Sequence, residues 1–152
     1  MEGKPTPAPV SAARAILGGD AAHPNLWGEV LFTPYGRGTL VTVRAGGLPP
    51  GGFLGFHIHT MGACSAGGDV PFSSAGGHYD PMGVPHPWHR GDLPPLLADR
   101  DGGAYQAVYT DRFRPVDVVG RSVIVHGMAD DFRSQPAGDS GMRIGCGVIR
   151  GV

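Results

Sequence analysis

The 152-residue chain has only two cysteines, no apolar run near the roughly 18–20 residues of a membrane helix, and no sustained 3.6-residue hydrophobic period. The first shortage excludes a zinc site built from cysteine alone. The second gives no expectation of a membrane-spanning helix, and the third argues against a helical domain. A basic excess is missing as well: 12 Lys and Arg stand against 13 Asp and Glu, a formal net charge of −1. The cationic side chains are dispersed rather than striped, so nucleic acid is not an expected partner. The opening stretch "MEGKPTPAPVSAA" lacks the apolar core of a secretory signal. It reads as a flexible, Pro-rich leader over residues 1–12, followed by a single domain over 13–152.

What the chain has in abundance is punctuation. Its 27 glycines and 15 prolines exceed a quarter of the residues, and they separate short apolar runs. "ARAILGG", "NLWGEVLFTP", "GTLVTVRAGG", "GGFLGFHIHT", "PLLADRDGG", "AYQAVYTD", "RSVIVHG" and "CGVIRGV" read as eight short strands, several alternating apolar with polar side chains. "RDGGA" at 100–104 predicts an Asp-Gly hairpin turn between two of them. The expected fold is all-β, an eight-stranded Greek-key sandwich or flattened barrel. Two long stretches, 60–95 and 127–143, do not fit the strand pattern and read as functional loops.

Histidines concentrate in and beside these segments, at 57, 59, 78, 86, 89 and 126, with His23 apart from them before Pro24. Residues i and i+2 of a strand share a face, so "GFHIHT" presents the imidazoles of His57 and His59 side by side. His126 ends the run "RSVIVH" and can reach the same sheet. These are three rigidly mounted nitrogens. His78, His86, His89 and Asp92 come from a Pro/Gly-rich stretch whose backbone can fold around an ion, and three nitrogens with one carboxylate suffice for a closed tetrahedral zinc site. His23 reads as a surface histidine, and Gly76 and Gly77 as serving backbone geometry. Cys64 and Cys146 can pair or stay buried and free. A pairing would close a loop of about 80 residues, stabilise by about 4 kcal/mol in the chain-entropy model, and point to an oxidising compartment.

The stretches "GFHIH" (55–59), "SAGGHYDP" (74–81), "HRGDL" (89–93), "GRSVIVH" (120–126), "ADD" (129–131) and "GMRIGCGVI" (141–149) together resemble the copper/zinc superoxide dismutase family in its bacterial form. The likeness runs from about Ala13 to the end. It implies copper held by His57, His59, His78 and His126, with His78 bridging to zinc, and zinc completed by His86, His89 and Asp92. It implies that Asp130 hydrogen-bonds His57 and His86, that Arg143 stands beside the copper channel, and that Cys64 and Cys146 form the family disulfide. The implied reaction is dismutation of superoxide, with His78 passing a proton and Arg143 attracting the anion. A secreted, periplasmic or cell-envelope location is implied too, and a homodimer is compatible with it.

The chain departs from the family pattern in places. Leu54 and Thr60 flank "GFHIH" where many members carry His and an acidic residue. Only "PW" separates His86 from His89, so the zinc loop must be compact. The loop 127–142 lacks a lysine-rich guidance pattern, which leaves steering to Arg143 with Arg133 as a helper. Two rival readings use the same residues: a non-enzymatic copper/zinc-binding module acting as buffer, chaperone or adhesion unit, and a zinc hydrolase. The complete ligand set with Arg143 counts against the first, and a zinc site closed by Asp92 against the second.

Overall fold

Strands that bury one face must close on one another, and here they do so almost completely. The computed structural model describes residues 12–152; the leader expected over 1–12 lies, apart from Ala12, outside the described residues. The strands are β1 (Ala13–Gly19), β2 (Trp27–Tyr35), β3 (Gly38–Gly46), β4 (Phe53–His59), β5 (Asp92–Leu97), β6 (Ala104–Thr110), β7 (Ser122–His126) and β8 (Arg143–Gly151), with one helical turn, α1 (Pro115–Val118). All ladders are antiparallel, in the order β5-β4-β7-β8-β1-β2-β3-β6. The steps from β3 to β4 and from β6 to β7 join strands that are not neighbours, while β8 returns beside β1. This is the expected all-β Greek-key arrangement. No helix among the described residues is long and apolar enough to cross a membrane.

The turn predicted at 100–104 exists, but not as a hairpin between ladder partners. Asp99 Oδ1 accepts the N–H groups of Asp101 and Gly103 at 2.8 and 2.9 Å, and Gly102 supplies the φ of +82° that the bend requires. The strands that it joins, β5 and β6, are the two edges of the sheet, paired to β4 and β3 respectively. Across the seam Gln106 Nε2 donates to the Pro94 carbonyl at 3.3 Å. Pro94 and Pro95 have no N–H to offer, which is why β5 serves as an edge.

Two bulges set the site. Between β4 and β5 the register runs Leu54↔Leu96, Phe56↔Leu93 and His57↔Asp92, so β5 carries an extra residue. Both Leu93 and Leu96 then face the core, and Asp92 lies directly across from His57. Between β7 and β8 the pairs are Val125↔Gly145 and His126↔Arg143. Residues three apart in a regular strand face opposite ways, yet this second bulge brings Arg143 beside His126 and Cys146 beside Ile124 on one face. The two long loops are accordingly shorter than expected. Asp92 opens β5 and Arg143 opens β8, which leaves 60–91 and 127–142 irregular apart from a 3-10 turn at Ser73–Ala75.

The main core is formed by side chains such as Val30, Phe32, Val41, Phe56, Val123 and Ile149, all fully buried. On β4, Leu54, Phe56 and Ile58 join that core while His57 and His59 point the other way, and both faces are buried. The second face is covered by loop 60–91. Phe72 and Ala75 pack on Ile124 and Cys146 in a small separate cluster, with Cys64 packed against it. Cys64 and Cys146 form a disulfide with a Cα–Cα distance of 5.7 Å, tying this cover to β8. Thiol titration of the unfolded, unreduced protein should find no free thiol. Replacing Cys64 by Ser should cost about 4 kcal/mol of stability in denaturant unfolding; two free thiols, or an unchanged unfolding midpoint, would contradict this account.

Candidate metal centre

Six histidines and two aspartates meet on the covered face of β4 and β7. His57 and His59 come from β4, His126 from the end of β7, and His78 is drawn in by an isolated bridge to His59 in which Tyr79 N donates to the Ile58 carbonyl at 2.8 Å. His86, His89 and Asp92 follow at the end of the same loop. Ring centroids of His57 and His78 are 4.1 Å apart, those of His59 and His78 4.8 Å, and those of His57 and His126 4.9 Å.

On every one of the first three rings, one nitrogen is tied and the other is not. His57 Nε2 donates to Asp130 Oδ2 at 2.8 Å, His59 Nδ1 to the Gly76 carbonyl at 2.8 Å and His126 Nδ1 to the Gly141 carbonyl at 3.2 Å. These bonds fix both tautomer and orientation. The opposite atoms, His57 Nδ1, His59 Nε2 and His126 Nε2, are buried without a hydrogen-bond partner, as is His78 Nε2. The four residues each offer a ligand atom within 4.8 Å of the others. Orphaned buried acceptors cost about 1–3 kcal/mol each, and a cation placed among them removes that cost.

The neighbouring group is arranged around one carboxylate. Asp92 Oδ1 lies 2.8 Å from His78 Nδ1, and Asp92 Oδ2 lies 3.0 Å from His86 Nδ1 and 3.2 Å from His89 Nδ1. His78 Nδ1 and His89 Nδ1 are 3.1 Å apart. A tetrahedral zinc with bonds of about 2.0–2.1 Å separates its ligand atoms by about 3.3 Å, so the donor set fits. A four-residue grouping on this side whose ligand atoms lie within 4.8 Å of one another contains His57 with His78, His86 and Asp92 rather than His89. His57 enters it by stacking on His78, whereas His89 Nδ1 faces both His78 and Asp92 directly, and the chemistry favours His89. His78 is the one ring with a nitrogen toward each group.

Asp130 spans the two groups: Oδ2 accepts from His57 Nε2 and Oδ1 from His86 Nε2, both at 2.8 Å, and Phe132 N adds a third hydrogen bond at 2.8 Å. Gly138 faces this junction. A Cβ there would come within 2.7 Å of His86 Nε2, and its φ of +70° also requires glycine. Arg143 is half-buried beside His126, its Nη1 donating to the Phe72 carbonyl at 2.8 Å. It lines a cavity of about 380 Å³ with His59, His78, His126 and Gly141. Arg133 is exposed and is not part of that lining. His23 stands apart, paired to Asp20 Oδ1 at 2.6 Å. Sequence reasoning placed Gly76 as backbone geometry without the carbonyl that it gives His59. It missed Gly138 and Gln135, whose side chain holds the His86 backbone; loop glycines and glutamines carry no periodic signal that would single them out.

Burial depresses the histidines. His59 is pushed down to about 2, first by desolvation and then by the charge of His78, and His126 to about 3 by desolvation and His57. His78 falls to about 4, desolvation outweighing the hydrogen bond to Asp92. Burial tends to raise Asp130, but the hydrogen bonds from His57 and His86 prevail and hold it far below the carboxylate range. Asp92 is likewise held low, burial being outweighed by the hydrogen bond and charge of His78. Neutral imidazoles beside ionised carboxylates suit a cation at neutral pH. Groups depressed in the folded state contribute stability above their unfolded pKa and lose it as pH falls. Metal-free protein should therefore lose thermal stability progressively from pH 6.5 toward 4, with the carboxylates adding to the loss below 3.8. Melting temperatures of metal-free protein that stay flat between pH 7 and 4 would refute this.

Comparison with known proteins agrees with this geometry. The family model described as copper/zinc superoxide dismutase matches residues 26–149. A Cu-Zn superoxide dismutase of Deinococcus radiodurans is 37% identical, the match covering 82% of this chain and 78% of that one. A relative of the same name from Aquifex aeolicus is 35% identical over 83% and 82%. Among solved structures, the Cu/Zn superoxide dismutase of Brucella abortus superposes with a TM-score of 0.79 at 31% identity, covering 90% of this chain and 98% of that one. A double mutant of a superoxide-dismutase-like protein from Bacillus subtilis gives 0.77 at 29% identity, covering 91% and 97%.

Proposed function

We propose that this chain, which belongs to the bacterial-type copper/zinc superoxide dismutase family, binds copper through His57, His59, His78 and His126 and zinc through His78, His86, His89 and Asp92. The activity is the family's, conversion of superoxide to dioxygen and hydrogen peroxide, with copper and zinc as cofactors. The observation that carries the residue assignment is the convergence of four buried, unpartnered imidazole nitrogens.

When bound, copper supplies a one-electron cycle that oxidises one superoxide and reduces a second, and zinc supplies fixed positive charge. Asp130 and the carbonyls of Gly76 and Gly141 take the outer N–H groups of His57, His59 and His126 and so hold these three rings in orientation. Whenever its Nε2 is free of metal, His78 could hold a proton at that atom and deliver it toward the cavity, while Asp92 would keep the Nδ1 side of the ring in place. Arg143 is the anion's attractor. Its guanidinium remains charged despite burial and faces the cavity over His59 and His126. The Phe72 carbonyl holds it, and Phe72 is itself held by the cluster around the disulfide. That disulfide supports an oxidising setting, whether secreted, periplasmic or in the cell envelope.

Elemental analysis of metal-reconstituted protein should approach one copper and one zinc per chain. His126→Ala should lose copper and activity while keeping zinc; loss of zinc alone would reverse the assignment. Arg143→Ala should keep both metals and the fold yet slow superoxide consumption by about tenfold or more, since a charge-assisted contact is worth about 1.5–3 kcal/mol. Its rate should also depend less on salt than the parent's. Equal rates and equal salt slopes would return Arg143 to a structural role and favour a non-enzymatic metal module.

A further inference from the structure

The two halves of the centre are supported differently. His57, His59 and His126 stand on strands, whereas His86 and His89 sit on an irregular turn with only Pro87 and Trp88 between them. Such a turn keeps its shape only if its backbone groups are satisfied. Two side chains from other parts of the fold do most of this.

Gln135, from loop 127–142, grips His86 at both backbone groups. Its Oε1 accepts from His86 N at 2.9 Å and its Nε2 donates to the His86 carbonyl at 2.8 Å, with a further hydrogen bond to the Arg133 carbonyl at 3.0 Å. Only this orientation of the amide satisfies both partners, since its reverse would set donor against donor. Arg112, just after β6, grips the other end of the turn. Its Nη1 donates to the Pro87 carbonyl at 2.7 Å and to the His89 carbonyl at 3.1 Å, and its guanidinium lies 5.7 Å from the Trp88 ring centroid. Trp88 N closes onto the Pro85 carbonyl at 2.8 Å, and His89 N onto Asp92 Oδ2 at 3.0 Å.

We infer that Gln135 and Arg112 are positioning residues that preorganise the compact His86–His89 turn for zinc. The inference rests on the zinc assignment proposed for His86, His89 and Asp92. Neither residue touches the centre; each acts through backbone next to a ligating ring. Strand-mounted His57, His59 and His126 receive none of these hydrogen bonds and are tied to the turn only through Asp130, so the effect falls mainly on zinc.

The test is metal affinity by competition with a chromophoric chelator, zinc and copper measured separately, on folded full-length chains checked by circular dichroism. Gln135→Ala and Arg112→Ala should each weaken zinc about tenfold to a hundredfold, with copper unchanged within about threefold. Gln135→Glu keeps the acceptor for His86 N but loses the donor to its carbonyl, and should fall between parent and alanine variant. Arg112→Lys keeps the charge and one donor and should restore part of the loss. In cobalt-substituted protein the alanine variants should also alter the tetrahedral d–d absorption, which a purely stabilising contact would not move. Unchanged zinc affinity in both alanine variants overturns the inference, as does equal weakening of zinc and copper alongside a lower melting temperature of the metal-free chain. A parent protein that takes up no zinc overturns the metal assignment itself, and the clamp with it.

Discussion

The buried carboxylate of Asp130 joins the two halves of the centre, accepting one hydrogen bond from a ring mounted on a strand and another from a ring mounted on a loop. Because its charge is stabilised by both imidazoles and by the Phe132 N–H, it remains ionised, and both rings keep their protons on Nε2. The lone pairs of His57 and His86 are thereby turned inward together. Without that carboxylate two buried N–H groups would lack an acceptor, at a cost of about 1–3 kcal/mol each. The close fit of Gly138 against the same junction shows how little free space surrounds it.

The fold carries a centre that works against its own stability. Five imidazole nitrogens are buried with no hydrogen-bond partner, and burial, joined by neighbouring positive charge, drives His59, His78 and His126 well below their ordinary pKa. The barrel core offsets this, and so does the second cluster beneath loop 60–91, where the disulfide closes the cover over Ile124. The stored cost is what a bound cation relieves, which couples metal loading to stability.

The same cover reaches the substrate side. Phe72 packs beside Cys146 and presents its carbonyl to Arg143, and a bulge in β8 turns Arg143 toward the cavity. The disulfide, the loop and the guanidinium proposed to attract the anion are therefore linked through the Phe72 carbonyl.

Local pattern was enough for much of this. Period-two alternation and Gly/Pro punctuation marked the eight strands, and β1 and β6 begin where their runs begin, because side-chain alternation is imposed by the pleat itself. The pairing of His57 with His59 on one face followed from the same period, and the identity and order of the histidines carried the family likeness. Tertiary structure alone decided the rest. Bulges moved Asp92 and Arg143 from loop to strand, and the barrel seam separated the strands of the expected hairpin. Gly138, Gln135 and Arg112 were invisible because their roles come from backbone groups far away in sequence, brought near only by chain closure. Spacing left the pairing of the cysteines open, since contacts between an irregular loop and a strand leave no period in the sequence; the family likeness implied it, and the 5.7 Å Cα–Cα approach bears it out.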